Sequence, residues 1–220
     1  MSSPYTFLVL GATGGTGKHF VSIALREGHK VRVLVRSPEK LGDQADKVEV
    51  WKGSIVDDLE TIDTDKLVEG VDFVASMLGD KEAQRYSKIN LAFMEKLIPS
   101  MIRQGVKRFL YQAGGVSRPY GGSLSPILWI MRNTIARGFN GQHLDNEAVM
   151  EYLATQANDL DWIVHRAGIY SDGPSKGVLE RSQSKISIAP FVDCADYSYR
   201  LLINPSRDAV HTSDFSCYKS

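Results

Sequence analysis

The chain has 220 residues, 26 lysines and arginines against 26 aspartates and glutamates, and two cysteines. Balanced charge supplies no global field to draw in nucleic acid or an anionic membrane surface, and no apolar run approaches the roughly 20 residues of a membrane span. The opening Met1-Ser2-Ser3-Pro4 lacks the basic segment of a secretory signal, and Cys194 and Cys217 are too scattered to read as a disulfide framework. Composition therefore predicts a cytoplasmic α/β domain covering residues 1–220, with free thiols, no metal site, no nucleic-acid partner and no membrane span. The elements that follow point to a small-molecule substrate, and the chain is expected to be a monomer or homodimer.

The first predicted element is a buried strand, Phe7-Leu8-Val9-Leu10, that stops at Gly11-Ala12-Thr13-Gly14-Gly15-Thr16-Gly17. Phe20, Val21, Ile23, Ala24 and Leu25 then recur at helical spacing. Strand, glycine turn and helix lay a pyrophosphate on a helix N-terminus, where unpaired N–H groups and the helix dipole meet negative charge. Gly11 allows the turn, Gly14 leaves room for the phosphate and Gly17 lets helix and strand approach. A second strand, Lys30–Val35, follows at the distance such a fingerprint requires and ends in Arg36-Ser37-Pro38-Glu39-Lys40. An acidic residue at this point accepts the ribose 2′-hydroxyl of NAD. Arg36 and Lys40 instead suit a 2′-phosphate, while Pro38 turns the Glu39 carboxylate toward water, so the expected cofactor is NADP(H).

Strand and helix then alternate, the pattern of a parallel, doubly wound sheet with helices on both faces. A third strand over Val48–Trp51 leads to the Gly53–Asp58 turn, where Ser54 and Ile55 are expected beside the adenine. Helical segments over Asp58–Glu69 precede a fourth strand, Val71–Met77, whose end, Met77-Leu78-Gly79-Asp80, should flank the cofactor. A long helix is expected over Ala83–Gln104, kinked or interrupted at Pro99. Strand five, Arg108–Gln112, opens into Ala113-Gly114-Gly115, and strand six, Asp161–Arg166, opens into Ala167-Gly168-Ile169-Tyr170. His165, inside that last strand, reads as a satisfied core residue.

GATGGTGKHF, VRVLVRSPEK, the Gly53 turn, VASMLG, VKRFLYQAGGVS and LDWIVHRAGIYSDGP, in that order, resemble the NmrA-like atypical short-chain dehydrogenase/reductases. Among these, the small biliverdin-IXβ/flavin reductase type is most similar. The resemblance covers roughly Tyr5 to Leu202. It implies one Rossmann-like domain that binds NADPH through Gly11, Thr13, Gly14, Gly15, Thr16, Gly17, Arg36 and Lys40. It also implies a nicotinamide near Met77, Leu78 and Gly79, near Gln112, Ala113 and Gly114, and near Ala167, Gly168 and Ile169. Many short-chain dehydrogenases carry Tyr-x-x-x-Lys as acid–base machinery; here alignment by the resemblance puts His143 and Glu147 at those places, still four apart on one helical face.

Two accounts of catalysis follow. Either a positioned NADPH passes hydride to a planar or aromatic acceptor and solvent supplies the proton, or His143 and Glu147 form a replacement acid–base pair, the carboxylate orienting the imidazole. The second account also fits a redox-neutral isomerase or cyclase, and a non-catalytic NADP-sensing regulator is a third reading. Asp145 points off the face shared by His143 and Glu147, which argues against a metal there. The segment over residues 116–141 is the least family-like; its apolar run suggests a lid or pocket wall, with a dimer or membrane-surface contact as the alternative. With the loop over residues 169–187, it supplies the substrate-contact candidates Tyr120, Trp129 and Tyr170.

Overall fold

The structure, a computed structural model, describes residues 4–169 and 171–219, with the backbone alone at Ile169. Strand β1 (Thr6–Leu10) is apolar because both of its faces are covered, the condition of a central parallel strand. It lies between β2 (Lys30–Val35) and β4 (Phe73–Ser76), and Leu10 stands opposite both Leu34 and Ser76. With β3 (Glu49–Lys52), β5 (Arg108–Gly114) and β6 (Asp161–Ile169), the order runs β3-β2-β1-β4-β5-β6, all parallel. Chain direction across the sheet reverses between β1 and β4, where doubly wound folds open a crevice beyond the carboxyl ends.

Helices α1 (Gly15–Arg26) and α6 (Phe191–Ile203) cover one face, packing Phe20, Val21, Ala24, Ala195 and Leu202 against Phe7, Val9 and Leu110. The other face carries α2 (Thr64–Val68), α3 (Ile89–Arg103) and α5 (Asn140–Gln156), whose Leu67, Phe93, Leu97, Val149 and Leu153 bury Leu8, Val74 and Phe109. The sheet is therefore Rossmann-like, with helices on both sides as its strand–helix alternation predicts.

Two helical expectations change. The helix expected over Ala83–Gln104 starts only at Ile89, after a separate 3-10 turn at Ala83–Arg85. The two starts have different caps: Asp80 Oδ1 accepts from the Glu82 and Ala83 N–H groups, whereas Asp145 accepts from those of Asn90 and Leu91. Pro99 lies inside α3 without ending it. Asp58–Glu69 yields only the five-residue α2, capped by Asp63. Its preceding turn is held by Ser54, whose N–H donates to Asp58 and whose hydroxyl donates to Asp57.

The sheet also extends beyond the elements expected. After β6 come β9 (Thr212–Tyr218), parallel to it, and β7 (Leu179–Ser182), antiparallel to β9; the short β8 (Ile188–Ala189) lies beside the end of β6. His165 is wholly buried between the Ser198 and Ser216 hydroxyls, 3.0 and 2.8 Å away. Burial pushes it down to about 3, so it sits neutral in the core as expected.

Candidate functional site

The carboxyl ends of β1, β2 and β4 border a cleft of about 300 Å3. Gly11, Thr13 and Gly14 form one wall, Arg36 and Lys40 the outer end, Ser54 and Ile55 the floor beyond β3, and Met77, Leu78 and Gly79 the opposite lip. Helix α1 starts here without a side-chain cap and without an acidic residue in its first turn, so its positive end is left for a ligand.

The glycines of this wall divide by task. Gly11 has φ 78°, and a Cβ on it would run into the Met77 carbonyl; one on Gly17 would run into the Gly11 carbonyl. Packing alone requires both. A Cβ on Gly14 would meet only the Gly11 oxygen, at 3.2 Å. That contact is tight but far milder than those at Gly11 and Gly17, and the missing Cβ also leaves room for a phosphate beside the turn. Gly15 lies under the Phe191 ring, and Thr16 is buried with its hydroxyl accepting from Gln112 Nε2 at 3.1 Å. Gln112 Oε1 is buried without a partner, an acceptor facing no donor beside the loop.

Arg36 reaches across the mouth of the cleft to Asp80, Nη1 donating to Oδ2 at 2.8 Å. The Ala83 N–H, and after it the guanidinium, hold the Asp80 carboxyl below the usual carboxylate range despite partial burial. Glu39 is exposed, as the turn at Pro38 predicts. Asp80 was expected only as part of the flanking stretch; its pairing with Arg36 joins residues 44 apart and has no local signal.

Farther along the sheet, the strand ends expected near the nicotinamide are closely packed. Ala113 and Ala167 are core residues, and a Cβ on Gly168 would meet the Ser187 carbonyl at 2.5 Å, so packing against β8 accounts for that glycine. Gly114 borders a small polar chamber instead. A Cβ there would sit 3.7 Å from Ser117 Oγ and Asn146 Nδ2 and 3.9 Å from His143 Nδ1. These groups continue into a buried chain that the sequence did not advertise: Asn90 Nδ2 donates to the Tyr111 hydroxyl, which donates to Asn146 Oδ1, whose Nδ2 donates to Ser117 Oγ. Burial, and the Asp145 charge after it, push the Tyr111 hydroxyl well above its ordinary range, so it stays protonated.

His143 and Glu147 do not form the expected pair. His143 Nε2 lies 3.3 Å from the Ala136 carbonyl, an acceptor, which assigns the proton of the neutral ring to Nε2 and leaves Nδ1 a bare acceptor, buried without a partner. Burial and, next, the Arg132 charge lower its pKa. Glu147 is taken by Arg132 and by the Arg118 N–H, the latter at 2.8 Å, because α4 (Pro126–Asn133) and the preceding loop fold onto α5. Asp145, also wholly buried, is fully engaged by the start of α3 and by Gln84 Nε2 at 2.8 Å. Among the described residues no acidic, cysteine or histidine cluster could hold a metal.

Helix α4 is the roof of this chamber. Ser125 caps it and Leu128 is its buried residue, whereas Trp129 is 59% exposed. Tyr120 lines a second cavity with Pro119, Met150, Trp162 and His211, near the amino ends of β5 and β6, and so does not reach the cleft. The structure thus brings neither residue into the cleft beyond β1, β2 and β4. Tyr170 and the Ile169 side chain lie outside the described residues.

A glycine turn into an uncapped helix at the switch point of a 3-2-1-4-5-6 parallel sheet defines a nicotinamide-nucleotide-binding protein of the Rossmann class. The comparison with known sequences narrows this: residues 11–192 match the NAD(P)H-binding family, and the chain belongs to it. It is 32% identical over 215 residues to pinoresinol reductase 1 of Arabidopsis thaliana, covering 90% of this chain and 64% of that protein. The chain thus spans under two thirds of that relative's length. Among solved structures it resembles a protein from Lactobacillus casei (TM-score 0.75, 20% identity, 96% of this chain and 98% of that one). It also resembles the anaerobilin reductase of Escherichia coli O157:H7 (TM-score 0.71, 16% identity, 96% of each chain). At such identities these structures share the fold. The ligand that names the family, NAD(P)H, is a small molecule; among the described residues no helix is long and apolar enough to cross a membrane.

Proposed function

We propose that the chain is an NADPH-dependent reductase that directs hydride to a small planar or aromatic acceptor, with the proton drawn from solvent. The observation that carries this reading is the cleft itself, where a glycine loop, Ile55 and two cations occupy the positions suited to pyrophosphate, adenine and 2′-phosphate. Similarity to a relative named as a reductase supports the reaction class. When bound, NADPH supplies the hydride.

The protein's part is to place and enclose. The backbone N–H groups at the start of α1 and the Thr13–Gly14 turn hold the pyrophosphate, Ser54 and Ile55 border the adenine, and Met77–Gly79 and Gln112 steer the nicotinamide end. Gln112 Oε1, lacking a partner, is suited to accept from a carboxamide N–H. His143, neutral with Nδ1 bare, is a poor acid, which favours solvent as the proton source over an acid–base pair with Glu147. Its role is to accept a hydrogen bond from an acceptor's N–H or O–H and so orient the ring. Glu147 ties the roof to α5 through Arg132 and Arg118; the roof, residues 116–141, opens to admit the acceptor and excludes water when closed.

Mixing the protein with NADPH and a panel of flavins, quinones and enones, while following nicotinamide absorbance, tests the reading. Consumption of NADPH with at least one acceptor is expected. Tight binding without turnover of any would favour a sensing protein or a redox-neutral enzyme. His143→Phe should raise the acceptor KM roughly tenfold, the worth of about one hydrogen bond, and leave no histidine limb in the pH profile of either protein. Loss of kcat by a hundredfold or more would instead restore proton transfer to the imidazole.

A further inference from the structure

We infer that Asp80 sets the cofactor preference of the cleft by competing with the ribose 2′-phosphate for Arg36. The inference rests on the NADPH reading above and adds to it the residue that limits its strength.

The two oxygens of Asp80 have separate duties. Oδ1 accepts from the N–H groups of Glu82 and Ala83, both at 3.1 Å, while the Asp80 N–H donates to Gln84 Oε1 at 2.9 Å. That carboxylate is therefore a fixed post on the lip beyond β4. Oδ2 is the part turned to Arg36, 2.8 Å away on the opposite lip beyond β2. The guanidinium is the movable partner: its side chain is 59% exposed, whereas that of Asp80 is 23% exposed.

Two cations line this end of the cleft, Arg36 and Lys40, and one anion, Asp80. Among the described residues Lys40 makes no ion pair, and Asp80 cancels the charge of Arg36. A 2′-phosphate dianion arriving here must draw the guanidinium off Asp80 or share it with a carboxylate that repels the phosphate. A ribose with a free 2′-hydroxyl faces neither demand and leaves the bridge intact across the cleft. Arg36 thus favours the phosphorylated cofactor and Asp80 narrows the margin.

The test is calorimetric titration with NADPH, NADH, 2′,5′-ADP and 5′-AMP of the wild type, Asp80→Asn, Asp80→Ser and Arg36→Ala. Asparagine and serine each keep an oxygen for the turn and remove the anion. Both variants should bind NADPH and 2′,5′-ADP about 2- to 5-fold tighter, the scale of an exposed charge pair, with the ratio of NADH to NADPH dissociation constants rising by the same factor. An unchanged or falling ratio in both variants would overturn the inference, since Asp80 would then serve Arg36 or the turn alone. Arg36→Ala reports on the underlying reading: it should cut the preference for 2′,5′-ADP over 5′-AMP, leaving only what Lys40 supplies. A wild type that prefers NADH would overturn the NADPH assignment and the competition with it, whereas an Arg36→Ala protein that keeps the full preference for the phosphate would overturn the competition alone and leave recognition to Lys40.

Discussion

The cleft beyond β1, β2 and β4 and the chamber beside Gly114 both lie beyond the carboxyl ends of parallel strands, yet they are built on opposite terms. The first is open and held by backbone: the Gly11–Gly14 turn closes through the Gly14 N–H on the Gly11 carbonyl, the start of α1 lacks a side-chain cap, and two cations stand at the rim. The second is closed and held by side chains, with Tyr111, Asn90, Asn146, Ser117 and His143 packed out of water beneath α4. Backbone-built sites tolerate change wherever a side chain points outward. A buried polar chamber does not, because each unpaired group carries its full desolvation cost. The lesson is that the open cleft and the buried polar chamber can be disturbed independently in this fold.

The sharpest way to break the comparison is at the glycines. Gly17→Val puts a branched side chain into the Gly11 carbonyl and should cost about 3 kcal/mol or more in a urea unfolding experiment. Gly14→Ala presses its methyl only mildly, to 3.2 Å from the Gly11 oxygen, and should change stability by about 1 kcal/mol while weakening NADPH binding by about tenfold or more. If the two variants lose stability equally, Gly14 is a packing residue too and the ligand argument from it falls.

On the closed side, Asp145→Ala strips the cap from α3 and strands the Gln84 amide, for an expected loss of about 2–3 kcal/mol. Nucleotide affinity of the protein that remains folded should be unchanged, which fluorescence titration can check.

Acid should loosen the core before it touches the cleft. The folded pKa of His165 is depressed to about 3 from an ordinary value near 6.5. A depressed histidine contributes stability that is complete above about pH 6.5 and is lost as the unfolded chain takes up its proton on the way down to about pH 3. About 2 kcal/mol should therefore disappear between pH 7 and pH 5, and His165→Gln should remove most of that slope. A wild-type stability that stays flat over this range would mean that the imidazole is charged in the native protein.

The smallest effect sharpens the comparison from inside. Tyr111→Phe deletes a hydroxyl shared by Asn90 and Asn146 and should cost about 1–2 kcal/mol in thermal unfolding. Because Ser117 and His143 depend on that chain for their setting, the acceptor KM should rise while the NADPH dissociation constant stays put.

Legibility in the sequence followed the same division. Phe7–Leu10, Lys30–Val35 and the glycine turn announced themselves because a strand buried on both faces must be apolar and a turn of positive φ needs glycine. Arg36, Lys40, Ser54, Ile55 and Met77–Gly79 could be assigned because each follows a strand end whose place in a parallel sheet is fixed. Tyr120 and Trp129 could not be placed the same way, since an aromatic residue in an apolar run carries no record of which surface it faces. The same holds for β7, β8 and β9, short segments that pair only through partners far along the chain.

The amino-acid order by itself determined the alternation of strand and helix, the turn that makes a nucleotide site and the family to which the chain belongs, because each is a local pattern of polarity, period and glycine. Tertiary structure alone decided that Glu147 serves Arg132 and not His143, that Asp145 caps a neighbouring helix, and that Arg36 meets Asp80 across the cleft. A side chain's partner depends on which elements the packed sheet brings within about 3 Å, and that distance is set by the whole core.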